Sequence, residues 1–138
     1  MKPAANIAAL AIALSLAPPV LGADQADRSF GLWRNPQNSV HVRAVPCGAH
    51  MCGVVAWAND KARADAARGG TATLVGATLF RDFRAQKAGL WRGRVFVPDI
   101  GKTFSGTIEV IDPDHLKGSG CLVGRVGCRS QVWTRITD

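Results

Sequence analysis

From residue 31 onward the chain is a succession of short apolar runs, each broken within about a dozen residues by Gly, Pro, Asn or Asp. Gly31 to Arg34 stops at Asn35-Pro36-Gln37-Asn38, and Val40 to Cys47 and Cys52 to Ala58 flank a turn as a hairpin. Runs resume with Ala77 to Phe83, Leu90 to Val97, Thr103 to Ile111, His115 to Cys121 and Arg129 to Ile136. Pro98-Asp99-Ile100-Gly101 and Asp112-Pro113-Asp114 supply turns between them. Alternation with period two places Trp91, Val95 and Val97 on one face of a strand, Phe104, Ile108 and Val110 on another, and Val132 with Ile136 on a third. The pattern predicts eight strands in meander order, each with one buried face. Asn59 to Arg68, rich in Ala and charge without a clear apolar stripe, is one short exposed helix or a loop ended by Gly69-Gly70. Gly 15, Pro 7 and a charged fraction of 20% exclude a long-helix or coiled-coil protein.

Eight antiparallel strands must hide their edges, either by stacking as a sandwich or by closing on themselves. The expected fold is all-β: a small eight-stranded antiparallel up-and-down barrel with one short helix or loop insertion. A barrel of this size has room inside for side chains or for one small ligand.

The first 23 residues differ from the rest. Lys2 is a positive start, Ile7 to Ala17 an apolar core, and Pro18-Pro19-Val20-Leu21-Gly22-Ala23 a small-residue cleavage region. This is the pattern of a secretory signal peptide, and the two prolines interrupt the apolar run before it reaches the roughly 20 residues of a span. Residues 24–138 then form a single barrel domain with no membrane span, placed in the periplasm or outside the cell. Loss of Lys2 lowers the formal charge of +7 by one. A basic balance favours an anionic envelope surface as partner, and no nucleic acid is expected. The arginines come as scattered pairs, Arg81 and Arg84, Arg92 and Arg94, Arg125 and Arg129, in keeping with a solvated face.

Four cysteines in an exported chain point to disulfides. Three pairings are open; each local pair closes its own turn, so Cys47 is assigned to Cys52 and Cys121 to Cys128. Loops this short contribute roughly 2 to 2.5 kcal/mol each on the loop-closure model, and pin turn geometry and register more than stability. Cys, His and Met between Cys47 and Cys52 would suit a soft metal ion, but an oxidising compartment disfavours free thiolates, and neither spacing is C-x-x-C. No metal and no cofactor is assigned.

Gly31-x-Trp33 in the first strand, with Trp133-Thr134-Arg135 in the last, resembles the closure of calycin and lipocalin barrels, where the first-strand Trp packs under an Arg from the final strand. Such a desolvated pair contributes about 2 kcal/mol. The wider order is Gly31-Leu-Trp33, Cys47-Gly48-x-x-x-Cys52-Gly53, Trp91-x-Gly93, Pro98-x-x-Gly101-Lys102-Thr103-Phe104-Ser105-Gly106, Leu116, Gly120-Cys121, Gln131-x-Trp133-Thr134-Arg135. It resembles a family of small exported bacterial proteins known as a domain of unknown function. The resemblance covers nearly all of the chain after the leader, and implies a lipocalin-like barrel with Gly31, Trp33 and Arg135 at its closure and no established activity.

Catalytic signatures are sparse. His41, His50 and His115 are far apart, Glu109 is the only Glu, and Ser105 and Ser130 lack the strand-turn-helix setting of a nucleophile elbow. Phosphate-loop and dinucleotide fingerprints are missing. A non-enzymatic role is therefore expected: binding of a small amphipathic or hydrophobic ligand inside the barrel or at its mouth. Trp57, Trp91 and Trp133 are the candidate apolar lining, and Gln131 and Arg135 would hold an anionic head group. The alternative is an interaction module whose basic surface, with Arg92 and Arg94, holds an envelope glycolipid or a partner protein.

Overall fold

The computed structural model describes residues 3–4, 8–16, 28–123 and 126–137. Eight strands run in chain order: β1 (Gly31–Arg34), β2 (Val40–Cys47), β3 (His50–Ala58), β4 (Thr78–Lys87), β5 (Leu90–Val97), β6 (Lys102–Asp112), β7 (His115–Val123) and β8 (Val126–Ile136), with one helix, α1 (Asp60–Arg68), between β3 and β4. Every strand pairs antiparallel with the next, and β8 returns to β1, so the sheet closes as a barrel. The up-and-down barrel expected from the strand pattern is the observed fold, with helix and not loop as its insertion. Residues 8–16, within the segment expected to be a leader, lie exposed without regular secondary structure, and the expected cleavage region at 18–23 lies outside the described residues.

Two strands start or end where pairing, not composition, decides. β8 begins at Val126, three residues before the sequence expectation, because Cys121 lies opposite Cys128 and Val123 opposite Val126 in the β7–β8 ladder. β4 runs on to Lys87 through an irregularity at Asp82, whose φ is 53°. Both expected disulfides are formed, Cys47 to Cys52 and Cys121 to Cys128.

Asn59 caps α1, its side chain accepting from Ala62 N at 2.8 Å. The helix is not wholly exposed: Ala66 is fully buried and belongs to the core with Leu74 from the loop that follows. An alanine at that point lets the helix approach the barrel closely. The segment is tied to both neighbouring turns, through Asn59 N to Ser39 O (2.9 Å) and Thr71 Oγ1 to Pro98 O (3.2 Å). It therefore covers part of the end of the barrel opposite the Arg28-Ser29-Phe30 segment.

The core lies on the barrel axis: Trp33, Val42, Met51, Val55, Phe80, Phe83, Trp91, Ile108, Leu116 and Trp133 are all buried. The aromatic rings fill it by lying over glycines of neighbouring strands. A Cβ on Gly53 would stand 2.2 Å from the Phe80 ring, and one on Gly93 2.7 Å from Phe83. One expected face is reversed: on β8 it is Trp133 that points inward, while Val132 is 45% exposed. The register that sets Trp133 opposite Leu116 and Arg135 opposite Trp33 leaves the even-numbered residues of β8 outside.

Candidate functional site

At the closed end, Arg135 lies over the Trp33 ring at 4.2 Å. Its guanidinium donates to Phe30 O (2.8 Å), to Pro113 O (2.8 Å) and to Arg28 O. Gly31 sits beneath it with φ 124°, and a Cβ there would come within 2.5 Å of the guanidinium. The closure residues Gly31, Trp33 and Arg135 are thus one unit, and only glycine fits its first position. With one donor from each guanidinium nitrogen given to a backbone carbonyl, Arg135 is a strut of the barrel closure. The sequence gives no hint of Ser29, which completes this end. It is fully buried, its carbonyl accepts from Trp33 Nε1 (3.0 Å) and its hydroxyl from Trp91 Nε1 (2.7 Å).

The other candidate ligand residues separate. Trp91 is in the core, edge-on to Phe30 with ring centroids 5.9 Å apart. Trp57 is 41% exposed on the outer surface, 4.5 Å from the His41 ring. A register shift between His41 and Val42 lets Val55 and Ala58 both turn inward and leaves Trp57 outside. His41 Nε2 lies 2.7 Å from Asn38 Oδ1, and burial, with Arg34 beside it, lowers the His41 pKa. His50 lies on β3 and His115 on β7. Among the described residues no three His, Cys, Asp or Glu side chains gather as a metal site would require.

Trp133 and Gln131 remain. Alternation along β8 sets Arg129, Gln131 and Trp133 on one inner stripe, and their register partners on β7 are Gly120, Gly118 and Leu116. Trp133 is 8% exposed and packs edge-on against Phe80 at 5.8 Å, so it is the top of the filled core. Above it Gln131 and Arg129 are exposed, and their in-register neighbours on β7, Gly118 and Gly120, carry no side chain. Among the described residues, a Cβ on either glycine would meet nothing closer than 3.8 Å. The inner stripe of β7 and β8 thus sets two bare glycines beside one indole, one amide and one guanidinium. Two open depressions lie elsewhere, about 410 Å³ beside Cys52, Thr78, Arg81 and Asp82 and about 190 Å³ beside Arg63, Thr73 and Val75.

No helix among the described residues is long and apolar enough to cross a membrane. None of the curated proteins compared matches the chain. A Helicobacter pylori protein of solved structure, described as belonging to the lipocalin family, superposes with a TM-score of 0.58 at 12% identity, over 78% of this chain and 82% of its own. That likeness is one of fold: a lipocalin-like closed barrel. The model of the bacterial family described as "Uncharacterized protein conserved in bacteria" (DUF2147) matches residues 31–135, which begin at Gly31 and end at Arg135, the two partners of the barrel closure. The chain belongs to that family.

Proposed function

We propose that this protein is an exported, non-enzymatic barrel that binds a small amphipathic ligand at its mouth, between β7 and β8. The observation that carries the reading is the bare inner stripe at Gly118 and Gly120, in register with Gln131 and Arg129 and next to Trp133. An apolar tail would lie on the indole, and a carboxylate or similar head would take the amide and the guanidinium. With aromatic rings filling the axis, the ligand rests on the core instead of entering it. Arg129 takes the role that sequence reasoning gave to Arg135. A lipocalin-like fold is compatible with such binding, and two disulfides suggest a protein outside the cytoplasm. Periplasmic or secreted, after removal of residues 1–23, is the placement that the leader pattern supports.

The test is a titration with dodecanoate, followed by tryptophan fluorescence, on the protein recovered after export. Saturable quenching is expected, weakened by Gln131→Ala and abolished by Gly120→Val, which fills the bare stripe. No saturable signal, or one that Gly120→Val leaves unchanged, would remove this reading.

A further inference from the structure

The four arginines that the sequence shows only as scattered pairs meet on one outer face. In the β4–β5 ladder Arg81 lies opposite Arg94, and Arg84 opposite Arg92. Like charges set directly opposite each other destabilise a sheet, so the pairing opposes the stability of the fold at two adjacent rungs. The backbone is bent to produce it. Arg81 and Arg84 are three residues apart and would fall on opposite faces of a regular strand. The left-handed Asp82, φ 53°, sits at a register shift between them that returns Arg84 to the outer face, while Phe83 turns into the core. Asp is one of the few non-glycine residues that adopt this region, and an irregularity of this kind re-aims side chains and is over-represented beside functional sites.

Asp82 compensates in part, holding Arg94 at 3.2 Å in an exposed ion pair, of a kind that contributes little. Glu109, the other acid nearby, faces Lys117 and Leu90. Arg81 is fixed in place over the Phe96 ring at 4.4 Å and through its Nε to Thr78 O at 2.9 Å. Arg84 and Arg92 are exposed. The rung they form continues across the sheet as Thr107, Ser119 and Ser130, each in register with the last. The face is therefore a cluster of four guanidiniums with an apron of hydroxyls, suited to phosphate oxygens.

We propose that the outer face of the β4–β5 ladder docks the protein on a phosphate-bearing anionic lipid surface. The charge is complementary, and the hydroxyl apron matches the polyol groups of lipid heads. Two disulfides fit a compartment where the extended polyanion at hand is a membrane surface and not nucleic acid. This docking is independent of the ligand site proposed between β7 and β8.

Co-sedimentation with phosphatidylglycerol-containing vesicles tests it, using the exported protein with both disulfides intact and phosphatidylcholine vesicles as the neutral control. Binding is expected only to the anionic vesicles, weakening with salt. Arg84→Ser with Arg92→Ser should lower the affinity about fivefold for each arginine removed, without lowering Tm, because a like-charge rung is relieved. Lys61→Ser with Arg68→Ser, the same charge change on α1, should leave binding nearly intact. Equal binding to neutral vesicles, an equal loss in the α1 variant, a fall in Tm for the β4–β5 variant, or tighter binding to duplex DNA than to the vesicles would each overturn the proposal.

Discussion

The guanidinium of Arg135 covers the ring of Trp33 at 4.2 Å and, from the last strand, holds the carbonyls of Phe30 and Pro113 at 2.8 Å each. One side chain so joins the first strand, the last strand, the β6–β7 turn and the segment leading into the barrel. Arg135→Ala should cost about 3 kcal/mol, combining a cation–π pair with charge-assisted hydrogen bonds to carbonyls left unmade. Urea melts of the two proteins measure it, and a loss under about 1 kcal/mol would mean that water replaces the arginine without penalty.

Ser29 is the buried polar hinge of the same end, serving the indole N–H groups of both Trp33 and Trp91. Ser29→Ala keeps the carbonyl that Trp33 uses and strands Trp91 Nε1. The expected cost is about 1 to 3 kcal/mol, with a change in tryptophan fluorescence at unchanged far-ultraviolet circular dichroism. Ser29→Thr, which retains the hydroxyl, should recover part of the loss.

Glycine under the aromatic core is a packing requirement. Gly53→Ala puts a methyl group 2.2 Å from the Phe80 ring, and overpacking of this kind costs about 1 to 3 kcal/mol. Phe80→Leu should be less harmful in the Gly53→Ala background than in the wild type. A double-mutant cycle reads that coupling directly, and strict additivity of the two changes would contradict it.

His41 makes the fold sensitive to mild acid. Its pKa is lowered by burial and by Arg34, so the unfolded chain takes up this proton at higher pH than the folded one. The stabilisation is present above the ordinary histidine value of about 6.5 and is lost as pH falls through it. Tm should drop more between about pH 7 and about pH 5 in the wild type than in His41→Gln. Asp112, whose pKa is lowered by hydrogen bonds from Asp114 N and His115, acts in the same direction only at lower pH, in the carboxylate range. Parallel curves for the two proteins from pH 7 to pH 5 would exclude His41 as the source.

Local signals carried most of the architecture. Eight runs with turn residues between them are a property of neighbouring residues, and so are the two short cysteine loops; both survive into the structure with their order and pairing intact. The closure of Trp33 by Arg135 was legible through the resemblance of the first and last strands to those of lipocalin barrels, and the contact is present. Which candidate side chains lie together was not legible: Gln131 and Trp133 share one stripe of β8, while Trp57 lies on the outer surface, Trp91 in the core and Arg135 in the closure.

Tertiary structure decided what depends on two strands at once. Which face of β8 turns inward follows from its register against β1 and β7, and a shift of one residue would exchange Trp133 for Val132. The filling of the axis by Phe80 and Phe83 required glycines on other strands, far away in sequence, to lie beneath the rings. The opposition of Arg81 to Arg94 and of Arg84 to Arg92 rests on a single irregular residue, Asp82. Period-two alternation cannot foresee a bulge, since the extra residue is fixed by the partner strand and not by the composition of its own.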